Sequence, residues 1–301
     1  MKIRIYIVTY RRNDVLSKNL ESLWRTAGTH EIDRVVVLGN HPEDVITESL
    51  QRPELSMIRN TVRMPLAWGN LSKDWNFGLL DGFRDSSNPD NVDWVILVQN
   101  DVVWKEGWWE ALERMNHLDF MSQPTGDQAM AFRIDAVRRV GFFDERLSTI
   151  HAQECDYFMR SIIALGERAS INDDHKGEKS VYNKTGEFLI YGTNNGNGSE
   201  EDLRHTPKFL NEQLVWYLNK WKLRGTGTLF DYSWECRFRK RFRMAVPNEH
   251  DWYPFFWKNE SDIPQSLHWQ YEQARQIKAY RGIRRGWMWI LKVASLFRMK
   301  T

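Results

Sequence analysis

The strand-like segment at residues 94–98 constrains the fold more than any other part of the chain. It reads Trp-Val-Ile-Leu-Val and stops at the polar residues Gln99, Asn100 and Asp101. A short run of β-branched and aromatic residues with polar residues after it predicts a strand. Because neither face of this strand is polar, both faces must be covered, as in a parallel sheet flanked by helices. We therefore expect an α/β fold.

Strand and helix patterns alternate along the chain as far as residue 166. Strand patterns occur at 3–8, 35–38, 55–58 and 129–132. Helical patterns begin with Asn13 as a cap, recur at about 75–80 and 154–165, and place Trp108, Leu112, Met115 and Leu118 on one side of a further helix. This order predicts a doubly wound, mostly parallel central sheet. Ligands of such sheets bind at the carboxyl ends of the strands, where Tyr10, Asn40 and Asp101 fall.

Composition narrows the classes of protein that fit. The 301 residues suffice for a large enzyme domain, and the 15 tryptophans suit contact with either carbohydrate or a protein interface. Cys155 and Cys236 are too far apart in sequence to form a compact metal or disulfide motif, which favours a reducing compartment. No stretch approaches the roughly 18 apolar residues of a spanning helix, and no signal-peptide core follows Met1. We therefore expect a cytoplasmic location.

Several segments resemble motifs of the inverting family 2 glycosyltransferases, which have the GT-A fold. They are Thr9-Tyr10-Arg11, Gly39-Asn40, Trp68-Gly69-Asn70, Trp75-Asn76-Phe77-Gly78, Val98-Gln99-Asn100-Asp101-Val102, Gly141-Phe142-Phe143-Asp144-Glu145, the run from Gln153 to Arg160, and the run from Asp173 to Ser180. The resemblance extends over about residues 1–225. It implies a GT-A-like, nucleotide-sugar-dependent domain there. The residues beyond it, 226–301, are basic and rich in aromatic side chains, and we expect them to form a helical extension.

The resemblance implies a donor site and a metal site at the strand ends. The residues that it assigns to nucleotide-sugar binding are Thr9, Tyr10, Arg11, Asn40, Asn76, Gln99 and Asn100. It assigns the metal, Mn²⁺ or Mg²⁺, to Asp101 with His175. A carboxylate suits this position because a divalent cation neutralises the charge that develops on a leaving diphosphate. The alternative readings are a turn aspartate at Asp101 and a solvated loop histidine at His175.

The resemblance also implies three catalytic carboxylates. Glu154 takes the position of the general base, which accepts the proton of the acceptor hydroxyl as that hydroxyl attacks the anomeric carbon. Asp144 is expected to orient the acceptor, and Asp156 to bind either Arg160 or sugar hydroxyls. The alternative is that the acidic residues near 154 only stabilise a helix N-terminus through its dipole.

The function that the resemblance implies is metal-dependent, inverting transfer of a sugar from a nucleotide diphosphate sugar. A UDP-sugar is the favoured donor, and the acceptor is a hydroxyl of a glycan or glycolipid. One alternative is a nucleotide- or sugar-binding module without activity, because Gln99, Asn100 and Glu154 depart from the commonest family pattern. Another is nucleic-acid binding by the cationic and aromatic residues 237–243. The net charge of only +2 argues against that alternative, so no nucleic-acid partner is expected.

The C-terminal end is strongly basic. After Glu272 there are eight lysine and arginine residues and no acidic residue, and an apolar stretch lies at 287–297. A helix of this kind either lies on an anionic membrane surface, where lipid-linked acceptors reside, or packs on the catalytic domain. The first alternative predicts peripheral membrane contact.

Overall fold

A seven-stranded sheet with helices on both faces forms the centre of the computed structural model. The structure describes residues 1–59, 71–84, 92–123, 128–145, 147, 152–171 and 190–193. Within them the strands are β1 (Ile3–Thr9), β2 (Arg34–Gly39), β3 (Leu55–Arg59), β4 (Trp94–Gln99), β5 (Val102–Trp104), β6 (Phe120–Gln123), β7 (Ala129–Phe132), β8 (Ala169–Ile171) and β9 (Ile190–Thr193). The helices are α1 (Asn13–Ala27), α2 (Leu71–Gly82), α3 (Trp108–Arg114), α4 (Ile134–Val140) and α5 (Ala152–Leu165).

The strand order of the large sheet is β3-β2-β1-β4-β7-β6-β8. Strands β1 to β4 pair in parallel, whereas β7 is antiparallel to both β4 and β6. The predicted α/β class with a mostly parallel sheet is confirmed. The register pairs Thr9 with Gly39 and Val8 with Gln99, so β1, β2 and β4 end at one edge. A second, two-stranded sheet joins β5 to β9.

Alternate side chains of the central strands enter two separate cores. On one face, Ile5 and Ile96 pack with the apolar side chains of α1 and α3. On the other face, Tyr6 and Leu97 pack with those of α2, α4 and α5. This division explains why β4 is apolar throughout, because each of its faces meets a layer of helices.

Helix α2 lies unusually close to the sheet at two glycines one turn apart. A Cβ atom on Gly82 would lie 2.6 Å from Cγ2 of Val95, and one on Gly78 would lie 2.8 Å from Cδ2 of Leu97. Both distances are too short for real carbon contacts. The glycines therefore allow the helix to approach the strands, and this approach positions the polar residues on the first turns of α2.

Some expectations about individual elements were wrong. Asn13 does not cap α1 but is its first residue, with Arg12 at the cap position. Its side chain instead donates to the carbonyl of Glu43 and accepts from the backbone N–H of Val45. Helix α3 ends at Arg114, so Leu118 lies beyond it, although both Met115 and Leu118 are buried. The strands β5, β6, β8 and β9 and the helix α4 were not expected. Three or four residues of a strand, or two turns of a helix, give too little periodicity to recognise.

Several predictions fall outside the described residues. They concern the segment Trp68-Gly69-Asn70, the metal ligand His175, the domain boundary at 225 and the C-terminal extension at 226–301. In the portion of the chain that the structure describes, no helix is both long and apolar enough to cross a membrane.

Candidate functional site

Hydrogen bonds tie together the carboxyl ends of β1, β2 and β4. The side chain of Asn100 donates to Oγ1 of Thr9 at 2.9 Å, and the backbone N–H of Asn40 donates to the carbonyl of Thr9 at 3.1 Å. Thr9 and Asn40 are buried, and Asn100 is half-buried. We refer to Thr9, Asn40, Asn100 and Asp101 as the strand-edge cluster. Four residues predicted from three separate motifs therefore lie at one edge of the sheet.

Asp101 lies in the turn between β4 and β5 and carries an unusual carboxylate. Its Oδ1 atom is buried and has no hydrogen-bond partner among the described residues. Burial raises the pKa of this carboxyl above its ordinary value, against the smaller lowering effects of its own backbone N–H and of the positive charge of Arg12. A buried carboxylate oxygen without a donor is costly. The site is thus suited to a cation.

A buried aspartate that the sequence reasoning missed shapes the chain beside this cluster. Asp44 accepts the backbone N–H of Arg11 at 2.7 Å and that of His41 at 2.8 Å. The first of these bonds holds Arg11 at a φ of 56°, in the left-handed region that non-glycine residues rarely adopt. As a result, the loop after β1 and the loop after β2 are fixed to each other.

Tyr10, Arg11 and His41 form a small group above these loops. The Tyr10 and His41 rings meet edge to face with centroids 5.5 Å apart, and Nε of Arg11 donates to Nε2 of His41 at 2.8 Å. The guanidinium of Arg11 also lies 5.8 Å from the centre of the Tyr10 ring. An aromatic face beside a cation can receive a nucleobase or a phosphate.

Helix α2 connects the strand-edge cluster to a second polar region. On one side Asn40 donates to Oδ2 of Asp74 at 2.8 Å. On the other side Asn76 donates to the carbonyl of Phe143 at 2.9 Å and accepts from its backbone N–H at 2.7 Å. The described contacts of Asn76 are therefore internal, and its predicted contact with a nucleotide sugar stays a prediction.

The second polar region contains the three predicted catalytic carboxylates. Glu154, Asp144 and Asp156 are 1%, 2% and 0% exposed. Asp156 accepts from Nε of Arg160 at 3.0 Å, one turn along α5, and Nη1 of Arg160 donates to the carbonyl of Val140 at 2.9 Å. We refer to Asn76, Asp144, Glu154, Asp156 and Arg160 as the turn–helix cluster. The expectation that Asp156 binds Arg160 agrees with these contacts.

The first turn of α2 also reaches the start of α5. The hydroxyl of Ser72 lies 2.7 Å from the carbonyl of Leu147 and 3.1 Å from Oε1 of Gln153, and it donates to these acceptors. Gln153 immediately precedes Glu154. Helix α2 therefore contributes to both polar regions and fixes the spacing between them.

One protein carboxylate at the strand edge is compatible with a divalent ion. Within the described ranges, no group of three or more His, Cys, Asp or Glu side chains is arranged to hold a metal. Mg²⁺, however, commonly uses one or two protein carboxylates together with substrate phosphates and water. The unpartnered oxygen of Asp101 fits this pattern, and the second predicted ligand, His175, lies outside the described residues.

Sequence reasoning missed Asn19, Asp44 and Asp74, which bind the strand ends from neighbouring elements. Asn19 did leave a signal, because it lies between Leu16, Leu20 and Leu23 on the apolar side of a helical pattern. A polar residue at such a position is buried and needs partners. Asp44 and Asp74 left no comparable signal, since acidic residues in turns and first helical turns are common.

No family model matches this chain, and no curated protein matches it. Among solved structures, a mannosyltransferase from Pyrobaculum calidifontis with GDP-Man and Mn²⁺ is 14% identical over 57% of this chain and 55% of its own, with a TM-score of 0.39. Residues 1–349 of S. aureus TarS with UDP-GlcNAc are 13% identical over 79% and 70%, with a TM-score of 0.47. A glucosyl-3-phosphoglycerate synthase from Mycobacterium tuberculosis with Mn²⁺ and UDP is 11% identical over 57% and 69%, with a TM-score of 0.41.

The chain thus spans only about half the length of the mannosyltransferase. The solved structures to which it is similar include a mannosyltransferase and a galactosyltransferase, and at these identities the similarity concerns the fold alone.

Proposed function

We propose that this protein is a metal-dependent glycosyltransferase. It moves a sugar from a nucleotide diphosphate sugar, with a UDP-sugar favoured, to a hydroxyl of a glycan or glycolipid, and the transfer inverts the anomeric centre. The observation that carries the proposal is the buried, unpartnered carboxylate oxygen of Asp101 at the sheet edge where α/β proteins bind ligands. The motif resemblance supports the same reaction.

The strand-edge cluster supplies the donor half of the site. Asp101 is the residue that would hold Mg²⁺ or Mn²⁺, and a bound ion would supply charge neutralisation to the departing diphosphate. Arg12, whose charge acts on Asp101, is placed to attract the same phosphates. Tyr10 and Arg11 present an aromatic face and a guanidinium to the nucleotide.

The turn–helix cluster supplies the acceptor half. Glu154 lies in the first turn of α5, where the helix dipole stabilises its negative charge. In this proposal its carboxylate takes the proton of the acceptor hydroxyl. In this proposal Asp156, which accepts a hydrogen bond from buried Arg160, holds that arginine. Asp144 remains the alternative that orients the acceptor.

A second candidate function is nucleotide-sugar binding without transfer. The near-complete burial of Glu154, Asp144 and Asp156 favours it, because a base must reach the acceptor hydroxyl. Binding of a nucleotide sugar with neither hydrolysis nor transfer is its expected signature.

The test begins with calorimetric binding of UDP and GDP in Mn²⁺ and in a chelator. Affinity is expected to depend on Mn²⁺, and Asp101→Ala is expected to abolish that dependence. Glu106→Ala is a matched control, because Glu106 is an exposed carboxylate five residues further along. Equal affinity with and without chelator for both nucleotides would remove the metal assignment.

Turnover is then measured with a panel of nucleotide sugars. Metal-dependent hydrolysis or transfer with an inverted product, read by NMR, is the result that the proposal expects. A retained anomeric configuration would refute the single-displacement mechanism while leaving the donor site intact.

A further inference from the structure

One buried side chain of α1 holds both ends of the turn that carries Asp101. The amide nitrogen of Asn19 donates to the carbonyl of Gln99 at 3.0 Å. Its amide oxygen accepts from the indole Nε1 of Trp104 at 3.0 Å. Gln99 is the last residue of β4 and Trp104 is the last residue of β5. A single amide therefore connects the segments before and after Asn100 and Asp101.

Ser22 adds a second connection to the same segment. Its hydroxyl accepts the backbone N–H of Trp104 at 3.1 Å and donates to the carbonyl of Asn19 at 2.8 Å. Trp104 is fully buried and packs on Trp108 with ring centroids 4.8 Å apart. The end of β5 is thus fixed by both backbone and side-chain bonds to one turn of α1.

The identity of Asn19 needs an explanation beyond helix formation. Asparagine is a weak helix former in a helix interior, and Asn19 is 0% exposed on the face that also buries Leu16 and Leu20. A leucine there would continue the apolar side of the helix. The buried amide is compatible with folding because both of its polar atoms have partners in the β4–β5 segment.

The residues next to Asp101 are hydrogen-bonded to α1 and β1, whereas one carboxylate oxygen of Asp101 has no bond among the described residues. The segment is held at the backbone carbonyl of Gln99 by Asn19 and at the side chain of Asn100 through Thr9. At Trp104 it is held by Asn19 on the indole and by Ser22 on the backbone N–H. Within the described residues, Oδ1 of Asp101 has no hydrogen-bond partner. A fixed backbone with an unsatisfied carboxylate oxygen is the arrangement expected of a preorganised cation ligand.

We propose that Asn19 is a positioning residue that holds Asp101 in the geometry required for a divalent cation. The inference rests on the proposed function, because it takes Asp101 as the metal ligand. Asn19 acts through the backbone of Gln99 at one end of the turn and through the indole of Trp104 at the other, and in this proposal it touches neither metal nor donor. Loss of its amide leaves the strand edge in place but lets the turn move.

The readout is the ratio of UDP affinity in Mn²⁺ to UDP affinity in chelator. Asn19→Leu is expected to lower this ratio about tenfold, the scale of lost outer-shell support at metal sites. Affinity in chelator should stay unchanged. Thr26→Val is the matched control, because the Thr26 hydroxyl bonds only to the Ser22 and Leu23 carbonyls of its own helix in the described contacts. It should leave the ratio at the wild-type value.

Trp104→Phe provides a second variant in case Asn19→Leu does not fold. It removes the indole donor to Asn19 and keeps an aromatic ring in the core. We expect a decrease of about threefold in the same ratio, since one hydrogen bond is lost and the bond to Gln99 remains. Wild-type ratios in both Asn19→Leu and Trp104→Phe would overturn the inference.

The Asp101→Asn background separates positioning from a general structural role. There the ratio should be near one, and adding Asn19→Leu should not change it. If Asn19→Leu instead weakened UDP binding equally in Mn²⁺ and in chelator, its role would be structural and the inference would be wrong. If the wild-type ratio were itself one, the proposed function would fail first, which is a distinct outcome.

Discussion

The strand-edge cluster and the turn–helix cluster are both polar, but they satisfy their polar groups in different ways. In the turn–helix cluster the candidate carboxylates are almost fully buried, and Asp156 is paired with Arg160. The strand-edge cluster combines buried bonds between strand ends with half-buried Asn100 and with Asp101, whose Oδ1 has no partner in the described part of the chain. One region contains a buried ion pair, and the other contains a carboxylate oxygen that no described residue bonds.

Because of this difference, mutations in the two clusters should affect different properties, folding stability in one and ligand binding in the other. Breaking a buried ion pair leaves an uncompensated charge and is strongly destabilising. Changing Asp101, one of whose carboxylate oxygens has no partner among the described residues, should cost less folding free energy and should remove what that oxygen would bind. Mutations in the turn–helix cluster should therefore act mainly on folding unless they touch a reacting group, and mutations at Asp101 should act mainly on ligands.

The largest expected effect is on stability, from Arg160→Met. The change keeps an apolar stem but leaves the Asp156 charge buried, so the free energy of unfolding should fall by about 3–5 kcal/mol. Arg138→Met is the matched control, because Arg138 forms an ion pair with Asp135 in which both side chains are at least 41% exposed. Its effect should stay below about 1 kcal/mol. Urea denaturation measures both variants, and similar values for the two would contradict the structural reading of the turn–helix cluster.

The next effect concerns turnover in Glu154→Gln. An amide of the same size cannot accept the acceptor's proton, so turnover should fall by about 10²-fold or more while donor affinity stays nearly unchanged. Asp144→Asn and Asp156→Asn are measured in parallel by steady-state kinetics and calorimetry. Normal turnover in Glu154→Gln with a collapse in Asp144→Asn would move the base to Asp144. This outcome would keep catalysis in the turn–helix cluster.

A smaller loss of stability is expected when the close packing of α2, the helix that contacts both clusters, is disturbed. In Gly82→Ala the new Cβ meets Cγ2 of Val95, a stiff branched side chain, so α2 must move away from the sheet. We expect a loss of about 1–3 kcal/mol from this overpacking, partly offset by the better helix propensity of alanine. Phe77→Ala on the exposed side of α2 should cost less. Thermal unfolding compares the two, and equal stability losses would argue against the close approach.

Much of the fold could be predicted because its signals are long. The apolar strands β1, β2 and β4 and the helix α1 each carry several periods of their pattern, and the structure places all of them as expected. The antiparallel direction of β7 could not be predicted, since the residues 129–132 look the same in either direction. The direction in which β7 pairs depends on how the chain passes through α3 and β6 before it reaches β7. A four-residue strand carries no local signal of that path.

Site residues could be predicted where they directly follow a strand with a clear apolar pattern. Residues that reach the site from a loop or a helix could not be predicted in this way. Thr9, Asn40, Asn100 and Asp101 all follow strands that the pattern identifies, and they do meet at one edge. Asp44 and Asp74 reach that edge from a loop and a helix. Their bonds depend on the distance between elements, and no spacing in the sequence records that distance.

The smallest predicted effect is a pH dependence that isolates Asp101. Its pKa in the folded protein is raised from the ordinary 3.8 by burial. Between these two pKa values the folded state binds more protons than the unfolded state, so stability must decrease as pH rises through that interval. Asp101→Asn does not titrate at this position. In chelator, Asp101→Asn should therefore lose less stability than the wild type on going from acidic to neutral pH. Asp119 also has a raised pKa, but it is present in both proteins and cancels in the difference. The measurement is the difference in unfolding free energy between the two proteins across this pH range in chelator. A constant difference would show that Asp101 already has a favourable partner, and the strand-edge cluster would then be as internally paired as the turn–helix cluster.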